Sequence, residues 1–146
     1  MRKSRPVNIL LVEDNPGDIR LAQEAFKEVK IKINLEVATD GVEAIQYLRK
    51  NAPFETVHTP DLIILDLNLP RKNGKEVLAE IKRDETLRSI PVVILTTSFA
   101  EQDIKTSYYL HVNCYIRKPV DFDLFFHAIR KIEDFWLNTV ALPSMA

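Results

Sequence analysis

Residues 62–66 read Leu62-Ile63-Ile64-Leu65-Asp66: an apolar run without alternation that stops at an acid. Such a run suits a strand covered on both faces. Working outward, similar runs stand at Val7–Val12, Leu35–Ala38, Val92–Leu95 and Tyr115–Ile116. The segments between them carry apolar residues at helical spacing. Residues 18–29 offer Ala22, Ala25, Phe26 and Val29, residues 41–50 Val42, Ile45 and Leu48, and residues 75–83 Val77, Leu78 and Ile81. Residues 101–110 offer Ile104, Tyr108 and Leu110, and residues 121–137 offer Leu124, Phe125, Ala128, Ile129, Ile132 and Trp136. Strand and helix alternate five times, which predicts a parallel sheet with helices on both faces. The expected fold is flavodoxin-like: a doubly wound five-stranded parallel sheet, order 2-1-3-4-5, with five helices. One domain is expected over residues 7–140, between tails at 1–6 and 141–146. The longest loop falls at 51–60.

The 146 residues are 46% hydrophobic and 28% charged, a globular composition able to bury a substantial core. Cys114, the only cysteine, excludes an internal disulfide framework and a multi-cysteine zinc site. A net charge of −1 without long runs of one sign leaves no general footprint for nucleic acid. The basic start, Met1 to Pro6, is followed by an apolar run too short for a signal peptide, and no run reaches membrane-span length. The expected location is the cytoplasm, with neither nucleic acid nor membrane as a partner.

Parallel sheets of this kind bind ligands beyond the carboxyl ends of the strands, where the strand order switches. In the order 2-1-3-4-5 that place lies between strands 1 and 3. Strand 1 ends in Glu13-Asp14 and strand 3 in Asp66, so carboxylates converge. Carboxylates a few ångströms apart resist joint ionisation, and a divalent cation relieves them. Oxygen-only ligands suit Mg²⁺, and no His or Cys in these turns argues for zinc. Strand 4 ends in Thr96-Thr97-Ser98 and strand 5 in Lys118-Pro119. A lysine can hold one phosphoryl oxygen as a point charge and a threonine hydroxyl can donate to another. The set is that of phosphoryl transfer: Asp66 as nucleophile, Asp14 and Asp66 as direct Mg²⁺ ligands, Glu13 acting through water, and Thr96 and Lys118 on the phosphoryl group. A donor such as phosphohistidine is expected.

Taken together, Leu10-Leu11-Val12-Glu13-Asp14, Leu65-Asp66-Leu67-Asn68-Leu69-Pro70 with Gly74, Ile94-Leu95-Thr96 and Tyr115-Ile116-Arg117-Lys118-Pro119 closely resemble the receiver domain of bacterial two-component response regulators. The resemblance spans roughly residues 7–132. It implies phosphorylation at Asp66 by a histidine kinase, a third Mg²⁺ ligand from the backbone carbonyl of Asn68, and a switch made of Thr96 and Tyr115. It also implies a cis peptide at Lys118–Pro119. Thr97 and Val120 depart from the family's usual residues, small after the switch threonine and Phe after Lys-Pro. The loop with Pro53 and Pro60, the approach Asn113-Cys114-Tyr115 and the ending from Phe135 to Pro143 resemble the stand-alone, phytochrome-associated type of cyanobacteria. That type implies a phytochrome histidine kinase as partner and a homodimer through the last-helix region.

With nothing after residue 146, output is expected to leave through the protein's own surface. Phe122, Phe125, Phe126, Phe135 and Trp136 exceed what one helix face can bury, which points to a contact patch. Two other functions fit the fold. A phosphorylation-independent adaptor would ordinarily lack one of the acids present here. An aspartyl phosphatase or phosphotransferase commonly needs a second acid two residues after the nucleophile, where this chain has Asn68. The protein is therefore expected to catalyse only its own phosphorylation and dephosphorylation and not to act as an enzyme on other substrates.

Overall fold

Successive side chains of a strand point to opposite sides of its sheet, and in this chain both sides are covered. The computed structural model describes residues 5–28, 31–97, 101–110, 112, 114–118, 122–132 and 134–135. In chain order the elements are β1 (Val7–Val12), α1 (Pro16–Lys27), β2 (Ile33–Ala38), α2 (Gly41–Leu48), β3 (Leu62–Leu65), α3 (Gly74–Arg83), β4 (Val92–Thr96), α4 (Glu101–Tyr109), β5 (Cys114–Arg117) and α5 (Phe122–Ile132). The sheet runs β2-β1-β3-β4-β5 with every pairing parallel. This is the flavodoxin-like order expected from the sequence.

The period of two divides the apolar strands between two cores. Leu10, Val12, Ile63, Leu65, Val92 and Ile94 face α2 and α3 through Ala44, Ile45, Leu48, Val77, Leu78 and Ile81. Ile9, Leu11, Leu62, Ile64, Val93 and Leu95 face α1 and α5 through Ala22, Ala25, Phe26, Phe125, Ile129 and Ile132. The edge strand β2 alternates between half-buried and exposed residues along most of its length, so it extends further than its apolar run suggests. β5, at the other edge, gains Cys114 and Arg117.

Helix starts follow their caps. Asn15 accepts from the Asp18 N–H at 3.0 Å, and Pro16 occupies the first helical position, so α1 begins before residue 18. Val29 lies outside the described residues. Asn73 and Glu76 form a capping box on α3. In α5 the buried residues Phe125, Ile129 and Ile132 are spaced i, i+4, i+7. Leu124, expected with them, is 58% exposed, and in α4 Tyr108 is 51% exposed. The α-helical span of α5 runs to Ile132 and helical backbone recurs, as a π turn, at Asp134 and Phe135; Trp136 lies outside the described residues, as do both expected tails except Arg5 and Pro6. Among the described residues no helix is long and apolar enough to cross a membrane.

Candidate functional site

Four strands aim their carboxyl ends at one place. Backbone bonds fix the acids there: the Glu13 N–H donates to Ala38 O and the Asp66 N–H to Val12 O, each at 3.0 Å. Gly74 makes room behind them, because a methyl group on it would overlap the carbonyl oxygen of Asp66. The turn after β3 can therefore fold back against α3.

Glu13, Asp14 and Asp66 each offer an oxygen within 4.8 Å of the others. Glu13 and Asp66 are buried, whereas Asp14 is open to solvent. Asp66 Oδ1 accepts from the Asn68 N–H at 3.0 Å, and Oδ2 accepts from Lys118 Nζ at 3.1 Å. Lys118 Nζ also donates to Glu13 Oε1 at 2.5 Å and to Asp18 Oδ2 at 2.7 Å. Thr96 is fully buried, and its carbonyl accepts from the Lys118 N–H at 2.5 Å, which ties the ends of β4 and β5 together. The Asn68 amide donates to Thr96 Oγ1 at 3.4 Å and Thr97 Oγ1 at 3.5 Å.

The electrostatics follow from burial. Glu13 is desolvated, and its proton affinity is pushed up to about 7; Asp66 adds to the rise while Lys118 opposes it. For Lys118, burial alone would favour the neutral amine. The hydrogen bonds to Asp18 and Glu13, with the charge of Asp66, more than offset this and raise its pKa above the ordinary lysine value. The lysine is thus a fixed cation among acids that still carry excess negative charge. An oxygen-only donor set of this kind fits a hard divalent cation.

Glu13, Asp14, Asp66, Asn68, Thr96 and Lys118 accordingly meet at one end of the sheet. Tyr115 lies one strand over, half-buried against the α2–α3 core. The Lys118–Pro119 peptide and Val120 fall outside the described residues. Two contributions escape a reading by motif. Asp18 joins Lys118 from the first turn of α1, and the side chain of Asn68 reaches the threonine hydroxyls. The first had a signal in sequence, since Asp18 follows Asp14 by one helical turn just after a strand end.

The family profile of the response regulator receiver domain matches residues 9–130. Response regulator Rcp1 of Synechocystis sp. is 49% identical over 139 residues, which cover 95% of each chain. Among solved structures, the phosphorylated cyanobacterial phytochrome response regulator RcpA is 51% identical with a TM-score of 0.93, over 95% of this chain and 99% of that one. The Mn²⁺-bound form of Rcp1 is 49% identical with a TM-score of 0.92, over 94% and 99% respectively. Family profile, shared fold and shared length agree: this chain belongs to the response regulator receiver domains, the phosphorylation-dependent signalling modules of two-component systems.

Proposed function

We propose that Asp66 is the phosphoacceptor, that it takes its phosphoryl group from a phosphohistidine, and that Mg²⁺ serves the reaction. The observation that carries this reading is Lys118 Nζ, buried and 3.1 Å from Asp66 Oδ2, beside two further acids. Asp14, Asp66 and the Asn68 carbonyl would hold the ion, with Glu13 acting through water. The ion, when bound, supplies charge neutralisation on the phosphoryl oxygens.

Asp66 attacks as an ionised carboxylate, so no base has to remove a proton. An Asp66 Oδ–P bond forms as the P–N bond to the donor imidazole breaks, and the imidazole leaves with the electron pair. Lys118 passes its N–H from Asp66 Oδ2 to a phosphoryl oxygen, and the Thr96 hydroxyl donates to another. Tyr115 then turns inward behind Thr96. Water later attacks the phosphorus, the Asp66 Oδ–P bond breaks, and inorganic phosphate leaves as the Asp66 carboxylate is restored. The chain's catalysis is confined to these events on itself, and its output is a changed surface.

The likeness to RcpA, a cyanobacterial phytochrome response regulator, favours a phytochrome histidine kinase as donor. A homodimer through the last-helix region is supported by Leu124 and Phe135, 58% and 52% exposed. The receiver unit is read as residues 7–140, acting in the cytoplasm without nucleic acid or membrane. Acetyl phosphate with Mg²⁺ tests the chemistry: intact mass should gain one phosphoryl group, and Asp66→Asn should gain none. Persistent labelling of that variant removes the assignment. Sedimentation with and without phosphodonor tests the dimer, and a strict monomer at high concentration in both states counts against it.

A further inference from the structure

The three carboxylates on Lys118 are not equivalent. Glu13 and Asp66 also belong to the set of acids whose oxygens converge within 4.8 Å, together with Asp14. Asp18 accepts from Nζ at 2.7 Å and stands outside that set. Its backbone is fixed by the Asn15 cap, and its side chain is 23% exposed where that of Lys118 is 4% exposed. An ammonium has three N–H donors, and these contacts use them all.

A cation in the acidic set draws on Glu13 and Asp66, and phosphorylation turns one Asp66 oxygen into an acyl-phosphate bridge. Both events weaken the lysine's hold on those acceptors. Asp18 is untouched by either. We propose that Asp18 is a positioning residue, which anchors the Lys118 ammonium from outside the metal-binding acids so that its remaining N–H stays aimed at the phosphoryl oxygen. The inference rests on the reading of Asp66 as phosphoacceptor. One effect opposes it, since Asp18 is an anion near an anionic group. That repulsion acts through a solvent-facing side chain and is screened, whereas the hydrogen bond is direct and ends on a buried cation.

The test uses beryllofluoride, which mimics a phosphoryl group on a carboxylate, titrated with Mg²⁺ into the full chain and into Asp18→Asn. Losing a charge-assisted bond to the lysine should weaken beryllofluoride binding about tenfold. Affinity for Mg²⁺ alone should change less than about threefold, the remnant of a screened attraction. Asp18→Ser repeats the measurement in case the asparagine disturbs the Asn15 cap, and a thermal melt checks that each variant folds. Unchanged or tighter beryllofluoride binding overturns the proposal, as does an equal loss of Mg²⁺ affinity. A wild-type chain that ignores beryllofluoride, or an Asp66→Asn variant that binds it, instead overturns the phosphoacceptor assignment.

Discussion

Replacing Lys118 by methionine keeps most of the side-chain volume and removes a cation that the structure buries on three acids. Truncating one partner of a buried ion pair costs about 3–5 kcal/mol, because the other charge is left without compensation. Here Glu13 and Asp66 are the stranded groups, with side chains 4% and 7% exposed, while Asp18 can turn to water. The lower end, about 3 kcal/mol at pH 8 in EDTA, is therefore expected. With a slope of about 2 kcal/mol per molar, the urea midpoint should fall by about 1.5 M. At pH 5.5 Glu13, whose pKa is pushed up to about 7, is protonated and needs the lysine less. The loss there should shrink to about 1 kcal/mol. Added Mg²⁺ should recover part of the loss at pH 8, because a cation that binds the folded acids stabilises them by mass action. Urea melts at both pH values, with EDTA and with Mg²⁺, read this out. An equal loss at the two pH values, or none at pH 8, would refute the electrostatic reasoning.

Wild-type stability without metal should fall as pH rises from 5 to 8. Glu13 binds its proton more tightly when folded (about 7) than at its ordinary value of 4.5, so the folded state holds more protons between those values; the full penalty, about 3 kcal/mol, is reached above about pH 7. Denaturant melts in EDTA should show this slope, and a flat or rising profile contradicts it. Lys50, two residues beyond α2 and just past its C-cap Arg49, has φ 56°, its N–H on Tyr47 O while that of Asn51 reaches Gln46 O. A side chain is strained in this left-handed cap, so Lys50→Gly should stabilise the protein by about 0.5–1 kcal/mol in thermal melts. Asp61, buried at the far end of the sheet, accepts from the Asn8 N–H at 2.8 Å and from Arg5 at 3.0 Å. Asp61→Ala should lower stability by about 2 kcal/mol in urea melts while leaving the yield of phosphorylation unchanged.

The inner strands were legible because burial on both faces writes them as unbroken apolar runs; Leu62 to Leu65 and Val92 to Leu95 are buried throughout. β2 was legible only in part, since an edge strand mixes half-buried and exposed residues and Ile33-Asn34 does not read as a core. The acids and Lys118 could be placed because a parallel sheet sends all strand ends to one side. Asp18 could not be placed by that rule. Its reach to Lys118 depends on where α1 starts, which the Asn15 cap and Pro16 decide. The amide of Asn68 was hidden for a similar reason. Its contact with Thr96 joins turns 28 residues apart, and depends on the backbone of the β3–α3 turn folding over Gly74. Tyr108 and Leu124 matched helical spacing, yet both face outward, because a period alone does not say how wide a face the sheet can cover.

The claim that Asp66 carries the phosphoryl group is tested most directly by trapping it. The chain is treated with acetyl phosphate and Mg²⁺, then with borohydride, which reduces an acyl phosphate on aspartate to homoserine, and the peptides are sequenced by mass spectrometry. We expect homoserine at position 66, dependent on Mg²⁺, with Glu13, Asp14 and Asp18 unmodified. Homoserine at another aspartate, or phosphoryl uptake with Asp66 left intact, would contradict the account.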